Sequence, residues 1–147
     1  DVEWIKQRWG GKLILKGIQD VEDARLAVDS GADALIVSNH GGRQLDGAQS
    51  SIEALPAIVA EVGSKIEVHM DGGIRSGQDV LKAVALGAKG TYIGRAFLYG
   101  LGAMGQEGVS KVLQIIHKEL DLTMAFCGRT RVADVDRSIL LPGTFPT

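Results

Sequence analysis

Asp20-Val21-Glu22-Asp23, then Gly31-Ala32, then Ala34-Leu35-Ile36-Val37 is a pattern that the chain writes twice. It returns as Ser76-Gly77-Gln78-Asp79, Gly87-Ala88 and Thr91-Tyr92-Ile93, at a constant offset of 56 residues. Each copy holds a capping residue, an aspartate three positions later, a helical stretch, a Gly-Ala pair and a short apolar run. Asp20 and Ser76 read as N-caps, with Asp23 and Asp79 at the capping-box position. Val21, Ala24 and Val28 share one helical face, and Gly31 and Gly87 close the two helices.

Working outward, Leu13-Ile14-Leu15 reads as a buried strand ending at Lys16-Gly17. Ala34–Val37, Ile66–Met70 and Thr91–Ile93 read as three more. Residues 2–9 form the end of an amphipathic helix, stopped by Gly10-Gly11. A helix over 52–62 places Ile52, Leu55, Val59 and Val62 on one side and tolerates Pro56 in an early turn. Gly94-Arg95 opens a short helix, and residues 106–126 form a long final one. The segment 129–147 is a polar tail, with Pro142 and Pro146, that wraps a surface. Strand followed by helix, four times, with strands that lack a polar face, predicts an α/β fold with a parallel sheet covered by helices. Two architectures fit: a doubly wound sheet, or part of a TIM (β/α)8 barrel.

The 16 Lys+Arg against 18 Asp+Glu argue against nucleic acid as a partner and against a polybasic membrane patch. Hydrophobic residues at 45% are too many for a disordered chain. One cysteine, Cys127, excludes an internal disulfide and a multi-cysteine metal site, and fits a reducing compartment. No apolar run is long enough for a transmembrane segment. The opening Asp1–Lys6 reads as neither a signal nor a transit peptide, so a cytoplasmic location is expected, with peripheral inner-membrane association compatible.

In parallel α/β folds ligands gather at the carboxyl ends of strands. Here those ends are Lys16-Gly17, Ser38-Asn39-His40-Gly41-Gly42-Arg43, Asp71-Gly72-Gly73-Ile74-Arg75 and Gly94-Arg95, and all four are polar. Lys16 follows a buried strand, where an inward ammonium needs an anion. His40 can accept a proton near neutral pH, and Arg43 offers a planar fork to a carboxylate. Together they suit a small acid that loses a proton. Gly72-Gly73 with Arg75, and Gly94 with Arg95, each precede a helix start and form a double phosphate site. His69, inside a strand, and His117, on a charged helix face, read as structural or solvated. There is no P-loop and no zincin motif. Gly100-x-Gly102-x-x-Gly105 has dinucleotide-fingerprint spacing but lies inside a helical stretch, so it is set aside.

The run Ser38–Asp46 resembles the signature of the FMN-dependent L-2-hydroxy-acid oxidases and dehydrogenases, the family of glycolate oxidase, lactate oxidase, flavocytochrome b2 and mandelate dehydrogenase. Leu15-Lys16-Gly17, Asp71–Arg75 and Gly94-Arg95-Ala96 are similar to its flavin-contacting lysine and its two phosphate segments. The resemblance implies FMN as cofactor and the last four β/α units of the barrel, with residues 1–128 as a C-terminal half-barrel and 129–147 as tail. It implies that Lys16 lies near N1 and the C2 carbonyl of the flavin and that Ser38 contacts the flavin. Asp71 would meet the ribityl chain, with Gly72, Gly73 and Ile74 beside it, and Arg75, Gly94 and Arg95 would hold the phosphate. His40 would be the base and Arg43 the carboxylate clamp for a small 2-hydroxy acid such as L-lactate, oxidised to the 2-keto acid. Oxygen, a quinone or a cytochrome would accept the electrons. The barrel's N-terminal half, with its tyrosines, its histidine-orienting aspartate and a second arginine, is missing from this sequence. A fragment, inactive alone and homo-oligomeric, is therefore the expectation. The competing readings are a non-catalytic phosphate- or FMN-binding half-barrel and an enzyme of the inosine-monophosphate dehydrogenase type. The latter needs a barrel-loop cysteine, whereas Cys127 ends the final helix.

Overall fold

The computed structural model describes residues 1–146; the tail's last residue, Thr147, lies outside the described residues. In chain order the elements are α1 (Val2–Trp9), β1 (Ile14–Ile18), α2 (Val21–Asp29), β2 (Ala34–Val37), α3 (Ser51–Val62), β3 (Glu67–Asp71), α4 (Gly77–Ala85), β4 (Thr91–Tyr92) and α5 (Arg95–Phe126). The four strands pair in sequence order, all parallel. The register sets Lys16 beside Ile36, Ile36 beside His69, and Asp71 beside Tyr92.

Side-chain alternation sorts the sheet into two faces. Leu35, Val37, Val68 and Met70 point to the helices and close the core against Ala24, Leu55, Ile58 and Val62. Ile14, Lys16, His69, Asp71 and Tyr92 belong to the other face. Helices thus pack on one side of the sheet, as in a section of a (β/α)8 barrel, and the doubly wound alternative is set aside. The expectation that every strand is buried on both faces holds for β2 alone: β3 exposes Glu67 and only half-buries His69 and Asp71, and the two edge strands are more open still. Ile14 is 45% exposed on β1 and Tyr92 is 42% exposed on β4, because outer strands lack a neighbour on one side.

The repeated capping signals are realised unequally. Ser76 forms the full box: its Oγ accepts from the Asp79 N–H at 3.2 Å, and Asp79 Oδ2 accepts from the Ser76 N–H at 3.0 Å. Asp20 caps without a box, accepting from the Glu22 N–H at 2.7 Å. A further box closes α3 one residue earlier than the sequence suggests, with the Ser50 N–H and hydroxyl both donating to Glu53. Such caps each stabilise a helix start by about 1 kcal/mol.

At the amino end of β2, Asp33 latches the chain's first segment. Its carboxylate accepts from the Leu13 N–H at 2.8 Å and pairs with Lys6 and Lys12, both at 3.1 Å. These donors, the Leu13 amide first, lower its pKa to about 2.

The final helix is broken at Met104 and Gly105, so the expected short helix and long helix are both present as two arms. Gly100 and Gly108 face each other across the break, where a side-chain carbon on Gly100 would lie 2.5 Å from the Gly108 carbonyl oxygen. Packing thus accounts for the first glycine of the discounted motif. The tail makes two 3-10 turns, Val132–Asp134 and Arg137–Ile139, and buries Val135 against Leu81, Ala85 and Met124. No helix among the described residues is long and apolar enough to cross a membrane.

Candidate active site

The carboxyl ends of all four strands open into one cavity of about 290 Å³. Of the residues singled out from the sequence, Lys16, His40, Arg43, Asp71, Gly72, Gly73, Ile74, Arg75, Gly94 and Arg95 line it. Ser38 is the exception. It is buried beneath the cavity, where its Oγ accepts from Lys16 Nζ at 3.0 Å and from the His40 N–H at 3.1 Å.

The Lys16 side chain lines the cavity and is 41% exposed, so it is not the buried ammonium of the sequence-based expectation, although it does face an anion. Its Nζ pairs with Asp71 Oδ2 at 2.9 Å, and so joins the ends of β1 and β3 across β2. The strand bulges just after Lys16, at Gly17, whose φ is +104°. The His40 imidazole fills the space beside that glycine: a side-chain carbon on Gly17 would lie 2.7 Å from its Cε1. A left-handed backbone and a touching ring together leave glycine as the residue that fits.

His40 begins a tight turn, His40–Gly42, in which three consecutive residues have positive φ: 54°, 67° and 71°. Among the described residues His40 is the one non-glycine in that region. Left-handed backbone costs an L-residue roughly 1–2 kcal/mol, and a side chain of the same loop and one from α3 hold the turn in place. Asn39 Oδ1 accepts from the Gly41 N–H at 2.9 Å, and Ser51 Oγ accepts from the Asn39 N–H at 3.1 Å.

The β3 loop is built from backbone. Gly72 and Gly73 have φ of 86° and 82°, and Gly72 sits tight against Ser51 Oγ and Asn39 Oδ1. Asp79 Oδ2 accepts from the Arg75 N–H at 3.0 Å, which starts α4 and leaves the Arg75 side chain at the cavity. A side-chain carbon on Gly73 or Gly94 would meet open space. Arg43, Arg75 and Arg95 therefore converge on a cavity whose single carboxylate, Asp71, is already paired with Lys16. Such a surplus of guanidinium groups recognises anions.

Sequence reasoning missed Tyr92, Ile93 and Leu98 in the lining, and Ser51 beneath it. Tyr92 was within reach: it ends a strand whose alternation places it beside Asp71. Ser51 has no such signal, because only the fold brings the first turn of α3 under Asn39.

Comparison with known proteins matches residues 1–142 to the FMN-dependent dehydrogenase family. The chain belongs to this family. As a member of the FMN-dependent dehydrogenases it is an oxidoreductase-family chain. It is 54% identical over 140 residues to an L-lactate dehydrogenase of Caulobacter sp. (strain K31), which covers 95% of this chain and 37% of that protein. It is 51% identical over 146 residues to the pre-mycofactocin synthase of Mycobacterium tuberculosis (strain ATCC 25618 / H37Rv), covering 99% of this chain and 37% of that protein. Among solved structures it is similar to a mandelate oxidase carrying a monooxide FMN adduct, with a TM-score of 0.89 and 49% identity. That match covers 92% of this chain and 43% of the oxidase. The FMN-dependent dehydrogenase section seen here thus spans well under half the length of these relatives.

Proposed function

We propose that this chain carries the phosphate subsite and the acid–base side chains of an enzyme that oxidises an L-2-hydroxy acid to the 2-keto acid with FMN. The observation that carries the reading is the convergence of Arg43, Arg75 and Arg95 with His40 on one cavity that has no unpaired carboxylate. Two anions are accounted for: a phosphate at the helix starts and a substrate carboxylate near His40.

The residues present fit FMN on an observation independent of the family. Asp71 Oδ1 is buried and has no hydrogen-bond partner among the described residues, although Oδ2 is engaged by Lys16. A ribityl hydroxyl is a donor of the kind that atom lacks. When bound, FMN supplies a two-electron acceptor for the substrate's C–H bond. Gly72, Gly73, Ile74 and Gly94 admit the phosphate chain closely, and Arg75 and Arg95 bind its charge. Lys16 brings positive charge to the strand ends, and Ser38 holds both Lys16 and the His40 amide in place. Arg43 grips the substrate carboxylate, and a ring nitrogen of His40 takes the proton that leaves the substrate's α-hydroxyl or α-carbon.

This activity belongs to a complete barrel, in which the chain is a C-terminal half of residues 1–128 with a tail. The other half would supply the remaining substrate contacts, and a 147-residue piece by itself would be inactive. A second substrate is favoured by one observation: the pre-mycofactocin synthase matches 146 residues at 51% identity, against 140 at 54% for the L-lactate dehydrogenase. On that reading His40 and Arg43 serve the formation of pre-mycofactocin. The test is anaerobic mixing of the complete, FMN-loaded enzyme with L-lactate or mandelate. Bleaching of the flavin absorbance by either supports 2-hydroxy-acid oxidation; an unchanged spectrum with both overturns it.

A further inference from the structure

Arg95 sits at two functions at once. It is the first residue of α5, and its side chain reaches 54 residues back along the chain to donate from Nη2 to the Gly41 carbonyl at 2.8 Å. A side-chain carbon on Gly41 would lie 3.4 Å from the same nitrogen, so the guanidinium rests directly on this peptide. The Gly41 N–H is held from the other side by Asn39 Oδ1. Gly41, the residue after His40, is therefore held on both of its flanking peptide groups: Asn39 of its own segment takes the N–H of the His40–Gly41 peptide, and Arg95, one of the two arginines proposed to bind phosphate, holds the carbonyl of the Gly41–Gly42 peptide. Arg75 makes no such reach: the bond that ties it in place is from its backbone N–H to Asp79.

A guanidinium has five N–H donors in a fixed fork, so one can stay on Gly41 while others face an anion. The backbone it steadies is the strained one, with His40 at φ +54°. A strained residue persists only while its surroundings over-determine it.

We propose that Arg95 is a positioning residue for His40: loading of the phosphate subsite fixes the Arg95 fork, and through the Gly41 carbonyl the fork fixes the turn that presents the imidazole. The inference rests on the proposed FMN site and deepens it. It makes Arg75 and Arg95 unequal, with Arg75 serving the phosphate and Arg95 serving the phosphate and the turn. Riboflavin, which lacks the phosphate, would occupy the ring subsite and leave the turn loose.

The complete apoenzyme is reconstituted with FMN or with riboflavin, as wild type, Arg95→Lys and Arg75→Ala. Two quantities are read: flavin affinity, and amide hydrogen exchange at His40 and Gly41. In the wild type, exchange at both amides is expected to be about tenfold slower with saturating FMN than with saturating riboflavin. Arg95→Lys keeps the charge and loses the fork, so FMN affinity stays within about tenfold while the FMN-specific protection disappears. Arg75→Ala weakens FMN binding, yet at saturation the protection is complete. Equal protection by FMN and riboflavin in the wild type overturns the inference, as does full protection in Arg95→Lys or its loss in saturated Arg75→Ala. Failure of wild-type apoenzyme to bind FMN is a different result: it overturns the cofactor site itself and the inference with it.

Discussion

The turn at His40–Gly42 and the turn at Gly72–Arg75 end neighbouring strands and face the same cavity, but they are made differently. The first carries a side chain on left-handed backbone and is fastened by Ser38, Asn39 and Arg95. The second has left-handed backbone only at glycine, and is fastened by a capping box at the start of α4. A group that must be aimed at a reacting atom needs restraints on a particular side chain. A group that binds a phosphate needs backbone N–H donors and room, which glycine and a helix start provide without strain. The contrast agrees with the proposal of proton handling at the first turn and phosphate binding at the second.

The sharpest way to break this assignment is His40→Gly in the complete enzyme. Glycine takes φ +54° without penalty, so stability should rise by about 1 kcal/mol while turnover falls by ~10²–10⁴-fold, the usual worth of a positioned base. Thermal unfolding and flavin reduction on the same preparation check both directions. A variant that loses stability and keeps its rate would reverse the roles of the two turns.

Next in size is the anion side. Arg75→Ala removes one charge-assisted contact, worth ~1.5–3 kcal/mol. FMN affinity should fall roughly ten- to a hundredfold, with riboflavin affinity much less affected. Titration of the apoenzyme with each flavin measures the difference, and equal losses would show that Arg75 does not read the phosphate.

Gly72→Ala tests whether the second turn is as unstrained as it looks. The new carbon would lie 2.9 Å from Ser51 Oγ and 3.0 Å from Asn39 Oδ1, on backbone with φ of 86°. A cost of about 1–3 kcal/mol is expected in chemical unfolding. Because Asn39 also holds Gly41, the damage should spread to the first turn. An unchanged midpoint would show that the two turns are mechanically separate.

The smallest effect lies at the opposite end of the sheet, where neither turn is involved. Asp33 has its pKa lowered to about 2 by the Leu13 amide, Lys12 and Lys6. Since the folded value lies below the ordinary carboxylate value near 3.9, its contribution is present above pH 4 and is lost as pH falls towards 2. Asp33→Asn should remove that part of the acid sensitivity and leave exchange at His40 and Gly41 unchanged. If the Asn variant has the same acid profile as the wild type, the latch does not contribute.

What could be read from the sequence follows the range of the interactions. Caps, glycine stops and apolar runs are local, so α2, α4, β2 and β3 stand close to where periodicity places them. The strand-end rule then delivered Lys16, His40, Arg43 and the two arginine loops to one cavity, since it depends only on strand direction. Ser51 under Asn39 and Arg95 on Gly41 join residues 12 and 54 positions apart, and no local pattern encodes them. Ile14 was misread for a related reason: an apolar run declares a strand, and only pairing shows whether it lies at an edge. Ser38 declared its neighbourhood but not its depth, which the hydrogen bonds from Lys16 and the His40 amide decide.

The run of three left-handed residues also offers a diagnostic for descendants of this sequence. At positions 41 and 42 any L-residue would be strained, so drift is resisted there whether or not the chemistry is in use. Position 40 is under the opposite pressure, because glycine would adopt the same backbone at lower cost. A relative that retained both glycines and had drifted to glycine at 40 would keep the turn's shape and lack the proposed base. Its glycine pair would then be an inheritance from an active ancestor, and the imidazole, not the glycines, is the mark by which activity should be judged.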